Sequence, residues 1–306
     1  MNIQHLKYAL EVAKAGSINK AAEKLLMGQP NLSRAIRELE ESLDITVFER
    51  SAKGMFLTAE GEEFLNHAKK LLNRLEDFEA MYQKGSLQKQ KFSISVPRAS
   101  YISDAFSHFS TSINANPAEI LYEETDSSQT LKSVLQSECN LGIIRYGVNH
   151  DKIFKEMLEE KGLSYEIIAE FKYVLLTNSK CHLASLEEVH FEDLASFMEI
   201  THAESYIPFL PLSETKKEEI SNYTNRKIYV YERASQFDLL AENTDTFMWV
   251  SPVPDEILRR YGLVQKACPD NKKLYRDVLI YRTNYRLSQL DNIFITELCK
   301  SKRNIL

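Results

Sequence analysis

No apolar run in this chain of 306 residues approaches the roughly 20 residues that span a bilayer. The N-terminal stretch "MNIQHLKYALEVAKAG" places Glu11 and polar residues where a secretory signal would keep an apolar core. Cysteine is scarce. Cys139, Cys181, Cys268 and Cys299 lie far apart and form no CxxC pair, which disfavours a zinc ribbon or a thioredoxin-like site. Reduced, buried thiols in a cytoplasmic protein are the expectation. There is no P-loop, GxGxxG, GxSxG or HExxH motif and no His/carboxylate cluster at metal spacing, so neither a cofactor nor a metal is expected. A triad assembled only in space stays open. Positive charge is also not in excess: the formal net charge is −6, which at first argues against nucleic acid.

The distribution of that charge changes the argument. Residues 1–58 carry eight Lys/Arg and seven Asp/Glu, whereas residues 91–306 carry 25 and 31. The acidity belongs to the C-terminal two-thirds, and any DNA face must come from local arrangement near the N-terminus. At this length, two or three domains are expected.

The first 60 residues read as helices with short breaks. Leu6, Ala9, Leu10, Val12 and Ala13 give a first amphipathic helix. Gly16 suits a helix end and Ser17 the cap of the next, which carries "NKAAEKLL". A third helix follows, with Pro30 in its first turn. Leu32, Ile36, Leu39 and Leu43 make its buried stripe. Its opposite face carries Gln29, Pro30, Ser33, Arg34 and Arg37. Gln can pair with adenine and Arg with guanine in the major groove, and Ser reaches a base or a phosphate. In "ITVFERSAKGMFLT" two β-prone runs flank a turn, a small hairpin wing in which Arg50 and Lys53 can meet phosphates. Each of these charges alone could be a solvated one paired with Glu38, Glu40 or Glu41. The combination in order points to double-stranded DNA, with Ser17 at the start of the motif's first helix.

Thr58 then caps a long helix in which Phe64, Ala68, Leu71, Leu75, Phe78 and Tyr82 are spaced 4-3-4-3-4. That is a heptad seam, expected to join two copies; packing on its own domain is the competing explanation. After the polar linker "KGSLQKQK", strand-like runs alternate with helical ones: "KFSISV", "EILYEE", "LGIIRY", "YEIIAEFKYVLLT", "FMEITH", "RKIYVYE", "TFMWVS" and "LYRDVLIYR". Such alternation implies an α/β domain with mainly parallel sheets. The long run at 165–177 is placed to cross between two halves.

Residues 1–85 resemble the DNA-binding half of LysR-type transcriptional regulators, most specifically in "AGSINKAAEKL", "QPNLSRAIRELEE", "VFER" and "LTAEG". The resemblance implies a multidomain chain. A winged helix-turn-helix (1–58) and a linker and dimerisation helix (59–90) precede a two-lobed, periplasmic-binding-protein-like α/β domain (91–306). Lobe 1 is expected at about 91–163 and 268–306, and lobe 2 at about 164–267. The chain departs from the family pattern at Gly28, usually Ser, at Asp44, often Gly, and at "AENTDTFMWVSPVP", where the family has a glycine-rich segment. The resemblance also implies a homodimer or homotetramer and a small-molecule effector between the lobes. Open α/β sheets take ligands beyond strand C-termini, which selects Arg98, Ser100, Tyr101, Ser127, Ser128, Gln129, Thr201 and His202. Helix N-termini with Arg98 nearby suit an anion. An architectural DNA binder without ligand and an enzyme using the α/β domain are the alternatives.

Overall fold

The computed structural model describes residues 2–51, 54–82, 89–202 and 223–305. The chain divides into two units, Met1–Gln88 and Lys89–Leu306.

In the first unit, α1 (Ile3–Ala15) buries Leu6, Ala9 and Val12 and stops at Gly16, whose φ of 60° is left-handed. Ser17 caps α2 (Ile18–Lys24) by accepting from the Lys20 N–H. The turn that follows passes through Leu26, also left-handed (φ 51°) and 95% exposed. Helix α3 (Gln29–Leu43) buries Leu32, Ala35, Ile36 and Leu39 and ends at left-handed Asp44. Its Glu40 carboxylate accepts from the Val47 and Phe48 amides (2.8 and 3.0 Å). The acid therefore fixes the wing to α3 rather than neutralising an arginine. The wing pairs β1 (Phe48–Ser51) with β2 (Gly54–Leu57), antiparallel.

Helix α4 (Ala59–Tyr82) starts from Thr58, whose hydroxyl accepts from the Gly61 N–H at 2.8 Å. Leu65, Ala68 and Leu72 enter the core made by α1–α3, and Phe64 packs against it. This corrects part of the expected seam. Ala68 and Phe64 are used inside their own unit, because the first turns of α4 lie across it. Leu71 is 47% exposed, Phe78 59% exposed and Leu75 half-buried; the Tyr82 side chain lies outside the described residues.

The second unit holds two five-stranded sheets. The first is built from β3 (Gln90–Val96), β4 (Ala118–Glu124), β5 (Leu141–Gly147), β6 (Leu163–Phe171) and β12 (Tyr275–Arg282), in the order β4-β3-β5-β12-β6. The second is built from β7 (Val174–Asn178), β8 (Met198–His202), β9 (Lys227–Val230), β10 (Thr246–Val250) and β11 (Leu263–Lys266), in the order β11-β7-β10-β8-β9. The chain changes sheet between β6 and β7, inside the long run at 165–177. The expected lobe boundary near 164 therefore moves to residues 172–173, and β6 stays with lobe 1. The expectation of mainly parallel sheets is also corrected. β12 runs antiparallel to β5 and β6, and β7 antiparallel to β10 and β11, because each of these strands enters its sheet from the other lobe. The short β11, "LVQK", was not among the expected strands.

Helices α5 (Ser100–Thr111), α6 (Ser127–Leu135), α7 (Asp151–Glu160) and α11 (Gln289–Arg303) serve the first sheet. The short α8 (His182–Ser185), with α9 (Arg233–Glu242) and α10 (Asp255–Tyr261), serves the second. Strand alternation sorts the first sheet's faces. Leu141, Ile143 and Leu279 join the Phe92/Phe109/Phe294 cluster, while Ile144, Tyr146, Val278 and Ile280 join Leu131 and Phe154. Gly142 is needed where α6 approaches: a Cβ there would stand 2.8 Å from methyl carbons of Thr130 and Val134. All four cysteines are free thiols, and burial pushes that of Cys139 up to about 12.

Candidate nucleic-acid interface and interlobe site

The two small residues Ala21 and Ala22 let α2 approach its neighbours, and Gly28, a backbone-only cap, opens α3. The outer face of α3 then carries Gln29, Pro30, Arg34 and Arg37, all exposed, with Ser33 half-buried. Among the described residues neither arginine has a carboxylate in ion-pair range; nearby Glu38 instead lies 3.8 Å from His5. Two unpaired guanidiniums and an amide on the first turns of a helix can donate to base edges and phosphates without breaking an internal contact. Asn31, exposed on the same turn, was missed by the sequence reading, although its place in that turn was the available signal. Ser17 is half-buried and occupied as a cap. Lys53 and the Arg50 side chain lie outside the described residues.

The expected effector residues separate into two groups. Tyr101 is fully buried, and its hydroxyl donates to Asp277 Oδ2 at 2.6 Å. Ser127 is buried and its hydroxyl both donates to the Arg145 carbonyl and accepts from the Arg145 N–H. Both side chains are committed to the core of lobe 1, because the first residues of α5 and α6 turn inward onto the sheet. Arg98, Ser128, Gln129, Thr201 and His202 are half-buried. The Ser128 and Gln129 amides are already taken by the Asp126 carboxylate that caps α6. Ser100 is buried, and its hydroxyl accepts from Arg233 Nη2 at 3.0 Å.

Arg233, the first residue of α9, crosses from lobe 2 to lobe 1. Besides Ser100 it reaches Glu124 Oε1 at 3.1 Å, and its guanidinium lies over the Phe237 ring at 5.3 Å. Neither Arg233 nor Glu124 was picked from the sequence. Both sit where the strand-end rule applies, after "RKIYVYE" and at the end of "EILYEE", so the signal was there. His202 Nε2 is 3.0 Å from Gln236 Oε1. Burial, then the Arg98 guanidinium, pushes the His202 imidazole down to about 4, and Arg233 adds to the effect. Arg98 and Arg233 thus both bear on a ring that is neutral at pH 7.

This depressed value has a stability consequence. As pH falls below the ordinary imidazole value of about 6.5, the unfolded chain binds the His202 proton and the folded chain does not. The folded state then loses up to about 1.4 kcal/mol per pH unit, until the folded pKa of about 4 is reached. His202→Gln removes this contribution, so its urea midpoint should fall less than that of the native protein between about pH 7 and about pH 5. Equal falls in the two proteins would show that the imidazole is not kept neutral by folding.

Among the described residues no group of His, Cys, Asp and Glu is placed to hold a metal ion, and no helix is long and apolar enough to cross a membrane. Residues 3–62 match the model of the bacterial regulatory helix-turn-helix protein, lysR family. The HTH-type transcriptional regulator BsdA of Bacillus subtilis (strain 168) is 45% identical over 78 residues, 25% of this chain and 27% of that protein. The matched region is thus about a quarter of that relative's length. AlsR from the same organism is 28% identical over 217 residues, 69% of this chain and 67% of that regulator. Among solved structures, full-length CbnR complexed with its target DNA superposes with a TM-score of 0.62 at 18% identity, covering 98% of this chain and 100% of that one. A full-length OxyR variant from Pseudomonas aeruginosa gives 0.59 at 14% identity, covering 100% and 98%. These structural likenesses carry the fold alone. Residues 3–62 thus carry the helix-turn-helix of the lysR family of bacterial regulators, and they are followed here by an α/β unit of two five-stranded sheets.

Proposed function

We propose that this protein is a one-component transcriptional regulator that reads double-stranded DNA with α3 and is controlled by a small anionic effector bound between the lobes of its second unit. The observation that carries the DNA-reading part is the outer face of α3, where Gln29, Arg34 and Arg37 are exposed and, among the described residues, both guanidiniums lack a carboxylate partner. Ser33 and Asn31 extend that face; Arg50 and Lys53 of the wing supply phosphate contacts. Leu71, exposed on α4, supports association of two copies, a homodimer or a homotetramer of such pairs. Paired half-sites then require two recognition helices about one DNA turn apart. Support for the effector comes from Arg98, Ser100, Ser128, Gln129, Thr201 and His202, which stand at strand ends and helix starts, where open α/β sheets take ligands.

Footprinting on the DNA upstream of the protein's own gene, with and without a metabolite pool, tests both parts. Arg34→Ala should lose about 1–3 kcal/mol of discrimination between the operator and a site altered at one contacted base, with the fold intact. Unchanged operator affinity in Arg34→Ala removes its base-reading role. A footprint indifferent to every metabolite fraction removes the effector.

A further inference from the structure

The interlobe ion pair has an unusual division of labour. The Arg233 fork is split, with Nη1 on Glu124 Oε1 at 3.1 Å and Nη2 on Ser100 Oγ at 3.0 Å. Glu124 Oε1 also accepts from the Tyr122 hydroxyl at 3.1 Å. One carboxylate oxygen therefore serves two donors, and among the described residues the guanidinium is held by a single carboxylate contact rather than the two-point pairing that makes Arg–carboxylate contacts strong. Both side chains are largely withdrawn from water, at 15% and 18% exposure. Arg98 bears on the same His202 ring as Arg233 and has no carboxylate in ion-pair range among the described residues. Among the described residues, two guanidiniums thus bear on a neutral imidazole, and one carboxylate, Glu124, is paired to one of them. This is a place where one more carboxylate is favoured and where the resident one is replaceable.

We propose that Glu124 is a tethered stand-in for the effector: it occupies Arg233 in the ligand-free protein, and the effector is a small carboxylate that displaces it, taking both Nη atoms in a two-point contact. The proposal rests on the interlobe effector reading above and gives it a chemical class and a built-in competitor. Displacement frees Glu124, at the end of β4, from Arg233, at the start of α9. The bond between the lobes then runs through the ligand instead of through the chain. A ligand biases the lobes only by its different affinity for the two arrangements, and the exchange of Glu124 for effector supplies that difference.

Acetate, the severed end of a glutamate side chain, is the probe. It is titrated against the native full-length chain, Glu124→Ala and Glu124→Gln by thermal shift at constant ionic strength, with chloride as the reference anion. Glu124→Gln keeps an oxygen for Arg233 and Tyr122, so a test survives if the alanine variant fails to fold. Both variants should bind acetate about tenfold more tightly than the native chain, chloride should not distinguish the three, and adding Arg233→Met should abolish the gain. Equal acetate affinity in the native chain and Glu124→Gln overturns the proposal. That outcome is separate from the effector reading, which stands or falls on whether metabolites alter the footprint of the native protein.

Discussion

Gly61→Ala should unfold or displace the DNA-binding unit. The change puts a better helix former into the first turn of α4, worth about 1 kcal/mol in an isolated helix. Tertiary packing acts in the opposite direction and is larger. A Cβ at this position would stand 2.1 Å from the Val47 carbonyl oxygen, 2.8 Å from its carbonyl carbon and 2.9 Å from its Cα. All three are backbone atoms, so no side-chain rotation relieves the clash. Val47 is fully buried, and its amide is held by Glu40 of α3. Helix α4 must therefore move, which withdraws Leu65, Ala68 and Leu72 from the core they share with α1–α3. A loss of about 3 kcal/mol or more is expected, at or above the upper end for overpacking. Chemical denaturation followed by circular dichroism, with operator affinity alongside, checks it. A variant more stable than the native protein would mean that the approach of α4 to Val47 is looser than described.

The second large effect is expected at Asp277. Its carboxylate is fully buried and accepts three hydrogen bonds: from Arg145 Nε and Nη2, both at 2.7 Å, and from the Tyr101 hydroxyl at 2.6 Å. Asp277→Ala leaves a guanidinium and a hydroxyl without partners in the interior of lobe 1. Stranding one member of a buried pair costs about 3–5 kcal/mol, far more than the pair's own net contribution. The double variant Asp277→Ala/Arg145→Met should recover most of that loss, because it removes the stranded charge and keeps apolar volume. Urea unfolding of the single and double variants separates the two effects. A double variant as unstable as Asp277→Ala would show that the loss comes from the cavity and not from the charge.

The consequences of that change extend to the strands that connect the lobes. The Arg145 guanidinium lies over the rings of Phe171 (4.8 Å) and Tyr173 (5.7 Å), at the crossover into lobe 2. The Tyr173 ring packs on Tyr275 at 4.3 Å, and the Tyr173 carbonyl accepts from Asn271 Nδ2, four residues before β12. Asp277 also stands at the register shift between β12 and β6. Loosening it should therefore alter the crossover as well as the core.

Much of this protein was legible in its sequence, because the signals concerned are local. The 3.6-residue stripe of Leu32, Ile36 and Leu39 identifies the inner face of α3 and thereby the outer one. Gly16 and Ser17 mark a helix boundary through their own backbone and side-chain preferences. A thirteen-residue β-prone run with Lys172 in its middle is too long for one strand and declares a crossover. The tertiary structure decided what depends on partners distant in sequence. Ser100 and Tyr101 are adjacent, yet one meets Arg233 and the other Asp277, because successive residues of a helix point about 100° apart and different elements cover each direction. Glu124 and Arg233 are 109 residues apart, and nothing local to either specifies the other. Phe64 and Ala68 of the expected seam on α4 went to their own unit for the same reason: a heptad records that a face is apolar, and only packing decides what covers it.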